Sequence, residues 1–260
     1  MDKSETSEMS PSAALPPSIE LAWGLRDHGT RGPKRGLTLE RIVQAGIKVA
    51  MTDGIGSLSM GRVAAELGVA TMSLYRYVTS KGDLLLLMSD TALGPPPTQP
   101  GAKPATKQDW RAGLTEWATA VRAAYRRHSW ALRIPISGPP LGPNNVAYLE
   151  SALRSLEGTT LSEQQKLSSV LLLSGFVRNE ATLTADLMAA SGGGHVMPGY
   201  GAMLLRLTDA GHFPALHRAV ASGALDDDDD LDTEFNFGLA RILDGIDVLI
   251  RQERKARRGR

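Results

Sequence analysis

The sequence predicts an all-α protein in two parts, an N-terminal three-helix helix-turn-helix domain linked to a larger helical domain. Three observations carry this. Apolar residues recur at helical spacing on both sides of a proline-dense break, GPPPTQPGAKP, at residues 94–104. No segment beyond the break alternates with period two. Within the first part, Leu67-Gly68-Val69 sets a tight turn between two short helical patterns.

Taken in order, residues 1 to about 22 are rich in Ser, Pro and Glu and are expected to lack structure, and Trp23 to Gly36 reads as a basic arm broken by glycine and proline. Together, residues 1–36 form a disordered and basic N-terminal arm. Thr38 is a suitable N-cap for a helix with the apolar face Leu39, Ile42, Val43, Ile47 and Ala50, and Gly54 and Gly56 end it. Ser59 caps the next helix, Gly68 supplies the turn, and Thr71 to Tyr77 form a short second helix. Ser80 with Asp83 three positions on resembles a capping box for a further helix to about Leu93. Residues 37–93 are thus one domain, 94–104 the boundary, and 105–255 the second domain. Its helical segments run over 107–128, 143–157, 162–190, 198–210 and 231–255.

Composition narrows the function classes. The chain has no cysteine, which removes disulfides, thiol catalysis and cysteine-ligated zinc together and fits a cytoplasmic protein. The longest apolar run, Val170 to Val177, is too short to span a bilayer, so no membrane partner is expected. No phosphate loop, dinucleotide fingerprint or Ser-His-Asp signature is present, and neither an enzyme nor a bound cofactor is expected. His195, His212 and His217 lack metal-ligand spacing, so no metal site is assigned. Net charge is only +1, but it is unevenly spread: Arg26, Arg31, Lys34 and Arg35 cluster near the N-terminus, six basic residues lie within 251–260, and Asp226 to Asp230 oppose them. That acidic run reads as a solvated loop, with metal or partner binding the lesser alternative.

The hairpin carries chemistry suited to DNA. Ala64 and Gly68 are expected to keep its two helices close, over a small core of Val63, Leu67, Val69, Leu74 and Val78. Thr71, Met72, Ser73 and Arg76 are then left near the exposed side of the second helix, where hydroxyls and Arg read base edges and Met72 meets a thymine methyl. Arg62 lies on the first helix of the hairpin. Tyr75, Tyr77 and Lys81 offer donors to phosphates, and Thr38 and Ser59 sit at helix N-termini that favour a phosphate. The plain alternative makes Tyr75 and Tyr77 half-buried core edges and Lys81 a solvated helix residue.

LTLERIVQAGIKVAMTDGIGSLSMGRVAAELGVATMSLYRYVTSKGDLLLLM, residues 37–88, resembles the N-terminal domain of the TetR family of bacterial transcriptional repressors, notably in its Leu-Gly-Val and Leu-Tyr-x-Tyr-Val-x-x-Lys series. The resemblance implies that Tyr75, Tyr77 and Lys81 contact the DNA backbone and that Thr71, Met72 and Ser73 lie where relatives meet bases. Gly61 departs from relatives that carry Arg there; here the Arg is its neighbour, Arg62. The arm before Thr38 enters a minor groove or serves as a solubilising tail.

Phe235 to Gln252 resembles the final helix of the tetracycline-repressor type of C-terminal domain, with Phe235, Leu239, Ile242, Leu243, Ile246, Leu249 and Ile250 at helical spacing. The family builds a four-helix dimer interface from two helices per subunit, which points here to this helix and the one over 162–190. An ordinary intrachain core is the alternative. Gly175, Gly238 and Gly245 are small enough for close helix approach. The family and the size of the domain also imply a small-molecule effector, with Trp110, Trp117, Tyr125, Trp130, Phe176, Asn179, Met188 and Tyr200 as candidate pocket residues. The expected partners are a double-stranded palindromic DNA operator, a second copy of the chain and an unidentified effector. The expected role is a ligand-responsive repressor, with an activator or a constitutive DNA-binding protein as alternatives.

Overall fold

The computed structural model describes residues 15–25, 36–97, 110–136, 138–191, 199–224 and 231–259, and their regular structure is entirely helical. They fall into two compact units. The first takes in the chain up to Gly94 together with Arg133–Val146, and the second takes in Pro95–Leu132 and Ala147–Arg260. The arm residues Arg26, Arg31, Lys34 and Arg35, the run Asp226 to Asp230, and His195 lie outside the described residues. No described helix is long and apolar enough to cross a membrane.

The first unit contains α1 (Pro17–Ala22), α2 (Leu39–Thr52), α3 (Met60–Leu67), α4 (Thr71–Leu74) and α5 (Lys81–Leu93). Helix α2 packs on both α3 and α5, and the space between them is filled by Ile42, Val49, Val63, Leu74, Leu84 and Met88, all essentially without solvent contact. The unit was expected to begin near Leu37, but α1 belongs to it. Pro17 stands at the start of α1, where its fixed φ suits the first turn, and Ile19 is buried as α1 packs on α2 and α5. Ile19, Leu21 and Ala22 within six residues span too few turns to give a periodic signal, and a helix this short takes its stability from tertiary packing.

Side-chain caps set three of the helix starts. Thr38, Ser59 and Ser80 each have extended backbone and accept a hydrogen bond from the amide three residues on, in Arg41, Arg62 and Asp83. The Asp83 carboxylate does not close the expected box onto Ser80. It reaches one residue further back, to the backbone N–H and hydroxyl of Thr79. Gly68 also acts differently from expectation. A Cβ there would meet nothing within 4 Å, so space between the helices is not its contribution. Its φ of 67° lies in the left-handed region, and the glycine is needed because that region is costly for other residues. Ala64 is buried as expected.

The second helix of the hairpin is shorter than Thr71 to Tyr77. α4 ends at Leu74, and Tyr75 to Tyr77 continue as a turn closed by Tyr77 N–H and Val78 N–H donating to Leu74 O. Leu74 and Val78 point into the core with no exposure, while Leu67 and Val69 are half-buried.

The second unit is built on α6 (Trp110–Arg127), α8 (Glu163–Ser191) and α11 (Leu231–Arg258), with α8 packed against both of the others. α7 (Pro143–Ser155) begins in the first unit and continues into this one, and α9 (Tyr200–Leu207) and α10 (Pro214–Ala221) pack on each other. α10 and a 3-10 turn over Ser129–Arg133 were not foreseen; both are short and proline or glycine flanks them. The expected stripe on the last helix is largely intrachain core. Phe235, Leu239, Leu243, Ile246 and Ile250 are buried, whereas Ile242 and Leu249 are half-buried. A Cβ at Gly238 would overlap the Phe176 ring, so this glycine admits α8, but Gly175 and Gly245 face open space.

Candidate nucleic-acid interface

The buried Leu74 and Val78 anchor one side of the α4 region and thereby turn the other side outward. Met72 is 75% exposed and Tyr75 is 42% exposed, unusually open for large apolar side chains and in keeping with a surface built to be covered. Arg76 and Lys81 are exposed beside them, and Thr71 and Ser73 are half-buried. Six predicted positions, Thr71, Met72, Ser73, Tyr75, Arg76 and Lys81, therefore come together within eleven consecutive residues with no core role.

The remaining predicted positions are engaged within the unit. Tyr77 donates its hydroxyl to Leu37 O at 2.7 Å, and Arg41 Nη1 donates to Gly36 O at 2.9 Å. The first bond holds the chain just ahead of Thr38 against the turn that follows α4, and the second ties it to the first turn of α2. Arg62 donates from Nε to Asp53 at 2.9 Å and from Nη1 to Glu66 at 3.1 Å, and Lys48 meets Glu66 at 2.6 Å. Both carboxyls are held below their ordinary range, Glu66 by the bond from Lys48 and then that from Arg62, and Asp53 by Thr52 and then Arg62. Arg62 thus bridges the end of α2 to α3. The i,i+4 spacing of Arg62 and Glu66 on α3 is the one local sign of that role; the Asp53 contact has none.

In the second unit the predicted pocket residues have separate neighbours. Trp117 is buried, donates to Tyr148 O at 2.9 Å and meets the Tyr148 ring edge-on. Phe176 stacks on Phe235 with ring centroids 5.8 Å apart. Trp110 is half-buried beneath the Arg111 guanidinium, Tyr125 lies half-buried against Arg178, and Asn179, Met188 and Tyr200 are exposed. Trp130 is buried against His128, at 5.9 Å between rings, and the Trp130 Nε1 and His128 Nδ1 atoms are both buried with no hydrogen-bond partner. A groove of about 560 Å³ lies between α8 and α11, lined among others by Ser168, Leu172, Arg241 and Gly245, and by none of the predicted pocket residues. No cluster of metal-ligating side chains occurs among the described residues.

Two family models match the chain. Residues 42–88 fit the model described as bacterial regulatory proteins of the tetR family, and residues 103–250 fit the tetracyclin repressor-like C-terminal domain. The chain belongs to the TetR family. TetR regulators are DNA-binding proteins rather than enzymes, and the exposed α4 surface is where this one carries its hairpin. A similar full-length relative is the HTH-type transcriptional repressor DrrR1 of Streptomyces coeruleorubidus, 36% identical over 260 aligned residues that cover 96% of this chain and 92% of its own. Among solved TetR structures, apo ActR of Streptomyces coelicolor superposes with a TM-score of 0.70 at 28% identity, covering 87% of this chain and 100% of that one. ActR in complex with actinorhodin gives a TM-score of 0.70 at 28% identity, covering 83% and 99%.

Three groups that matter to the TetR fold here were not read from the residues: Arg122, Asp90 and His128. A charge inside an alanine-rich helix face, as at Arg122, is the kind of signal that would have marked one of them.

Proposed function

We propose that the protein is a homodimeric repressor that occupies a palindromic operator and is released by a small-molecule effector. The observation that carries the reading is the exposed set on and after α4. Met72, Ser73 and Arg76 face base edges, Tyr75 and Lys81 face phosphates, and Thr71 lies at the start of the helix. Thr38 and Ser59 act as helix caps at the edge of this surface, and Arg62 and Tyr77 hold its shape.

Dimerisation is supported by a second set of open apolar side chains. Leu171 is 74% exposed and Leu172 58% on α8, and Phe237 is 60% exposed and Val248 52% on α11. These faces point away from the intrachain core, beside the groove between the two helices. A two-fold pair of α4 elements then reads two half-sites of a palindrome.

Effector control is supported by two things. The ActR relative has been solved with actinorhodin and with (S)-DNPA. In this chain, Trp130 Nε1 and His128 Nδ1 are buried without partners, and a buried polar group left unpaired costs about 1–3 kcal/mol. A ligand group that pairs with both would recover that cost in the effector-bound form. The effector favours one spacing of the two reading heads and weakens DNA binding by the coupling between the two sites.

Genomic footprinting of the purified protein tests the DNA reading: a protected two-fold symmetric site is expected, and protection without symmetry would overturn the palindrome. Sedimentation equilibrium at micromolar concentration should give a dimer, and a monomer would defeat the two-fold argument. Titrating actinorhodin, the ligand of a relative, into the protein–DNA complex is the first trial for release. Trp130→Phe should blunt the response to whichever compound causes it.

A further inference from the structure

We infer that Asp90 is a latch residue, which fastens the first turn of α7 to the end of α5 and passes the DNA-bound state of the reading head into that helix. Asp90 lies in the last turn of α5, where a negative charge opposes the helix dipole, yet it is only 3% exposed. A buried carboxylate in that position requires partners, and α7 supplies them. Oδ1 accepts from Asn145 N–H at 2.8 Å and from Asn145 Nδ2 at 2.7 Å, Oδ2 accepts from Asn144 N–H at 3.2 Å, and Asp90 O accepts from Asn144 Nδ2 at 3.0 Å.

The arrangement is an N-cap delivered from another helix. The residue preceding α7 is Gly142, which has no side chain to cap with, and a Cβ there would overlap the Asp90 carboxylate. Absence of a side chain at Gly142 is therefore what allows the carboxylate to take the capping place and to meet the positive end of the α7 dipole. Trp23 secures the same segment by donating from Nε1 to Leu141 O at 2.8 Å. α5 is the helix that directly follows the α4 turn, and α7 is continuous from Pro143 to Ser155, with its first four residues in the first unit and the rest in the second. A change in α5 is thus felt at the α7 amides through Asp90.

Hydrogen exchange on the full chain, with and without its footprinted DNA, tests this with no effector needed. In the wild type, DNA should slow exchange at the amides of Asn144 and Asn145 by about fivefold or more, the lower end of ordinary coupling between sites. Asp90→Ala should abolish that slowing while exchange over 71–78 is still slowed by DNA. Gly142→Ala, which removes no polar group but drives a Cβ into the place of the Asp90 carboxylate, should abolish it too, and covers the case in which Asp90→Ala does not fold. Slowing at Asn144 and Asn145 that persists in both variants, or is missing from the wild type, overturns the latch. A failure of effector release would leave this result unchanged, so the latch and the effector reading fail separately.

Discussion

Arg122 of α6 grips Glu180 of α8 through two parallel hydrogen bonds, from Nε at 2.9 Å and from Nη2 at 2.8 Å. The third arm of the guanidinium bonds Asp232 at the start of α11, and its face lies 4.2 Å from the centroid of the Phe235 ring. Burial disfavours the charge, but the hydrogen bonds it donates to Glu180 and Asp232 outweigh that and raise the guanidinium's affinity for its proton. One side chain therefore joins the three helices that build the second unit. Arg122→Ala would leave Glu180 without its charge partner in a mostly buried place, and such a loss costs about 3–5 kcal/mol. Chemical denaturation of Arg122→Ala should show that drop, and Arg122→Lys should recover only part of it because a point charge cannot make the paired contact.

DNA binding divides by residue. Lys81→Ala should weaken binding to all sequences alike and reduce the slope of log affinity against log salt by about one. Met72→Ala should act on sequence instead, and replacing thymine by uracil at the contacted position should give little further loss in that variant. Fluorescence anisotropy across a salt series separates the two outcomes.

Gly68→Ala places a Cβ in a left-handed conformation and should cost roughly 1–2 kcal/mol. Because nothing crowds the site, the loss should appear as strain in the turn, with the hairpin intact. A thermal melt of the variant at unchanged helical signal checks this; a neutral substitution would mean the turn relaxes.

The Lys48, Glu66, Arg62 and Asp53 network makes the reading head sensitive to acid. Both carboxyls have lowered pKa values in the folded state, so their contribution is present above the ordinary carboxylate range and is lost as pH falls through the folded values. Lowering pH from 6 to 3 should destabilise the wild type more than Arg62→Met, in melts followed by circular dichroism.

His128 gives the second unit its own pH dependence. Burial, and then the nearby Arg127 charge, lower its pKa from the ordinary value of 6.5, so the folded state prefers the neutral ring. Stability should be full above about pH 6.5 and fall as pH drops below it, because the unfolded chain then takes up the proton more readily. His128→Phe should remove that component, which NMR titration of the imidazole in the wild type can check directly.

Most helices and the character of the hairpin follow from local features of the chain. Thr38, Ser59 and Ser80 start helices because a short oxygen can satisfy an amide three residues on, and the Leu74 and Val78 spacing alone determines which side of α4 is buried. Such features act over a few residues, so they survive in any context. What only the tertiary structure decided lies in pairs far apart along the chain. Tyr77 is held by Leu37 forty residues before it, and α1 exists because Ile19 finds a place against α2 and α5; Arg62 reads as free for DNA, and though Asp53 and Glu66 are near it in the chain, only the packing of α2 on α3 brings Asp53 to it. The apolar stripe of the last helix went mostly to the core, and Asp90 became the cap of a helix that begins more than fifty residues later. Partner choice of this kind depends on which surfaces folding brings into contact, and a polar or apolar side chain carries no local mark of the partner it will meet.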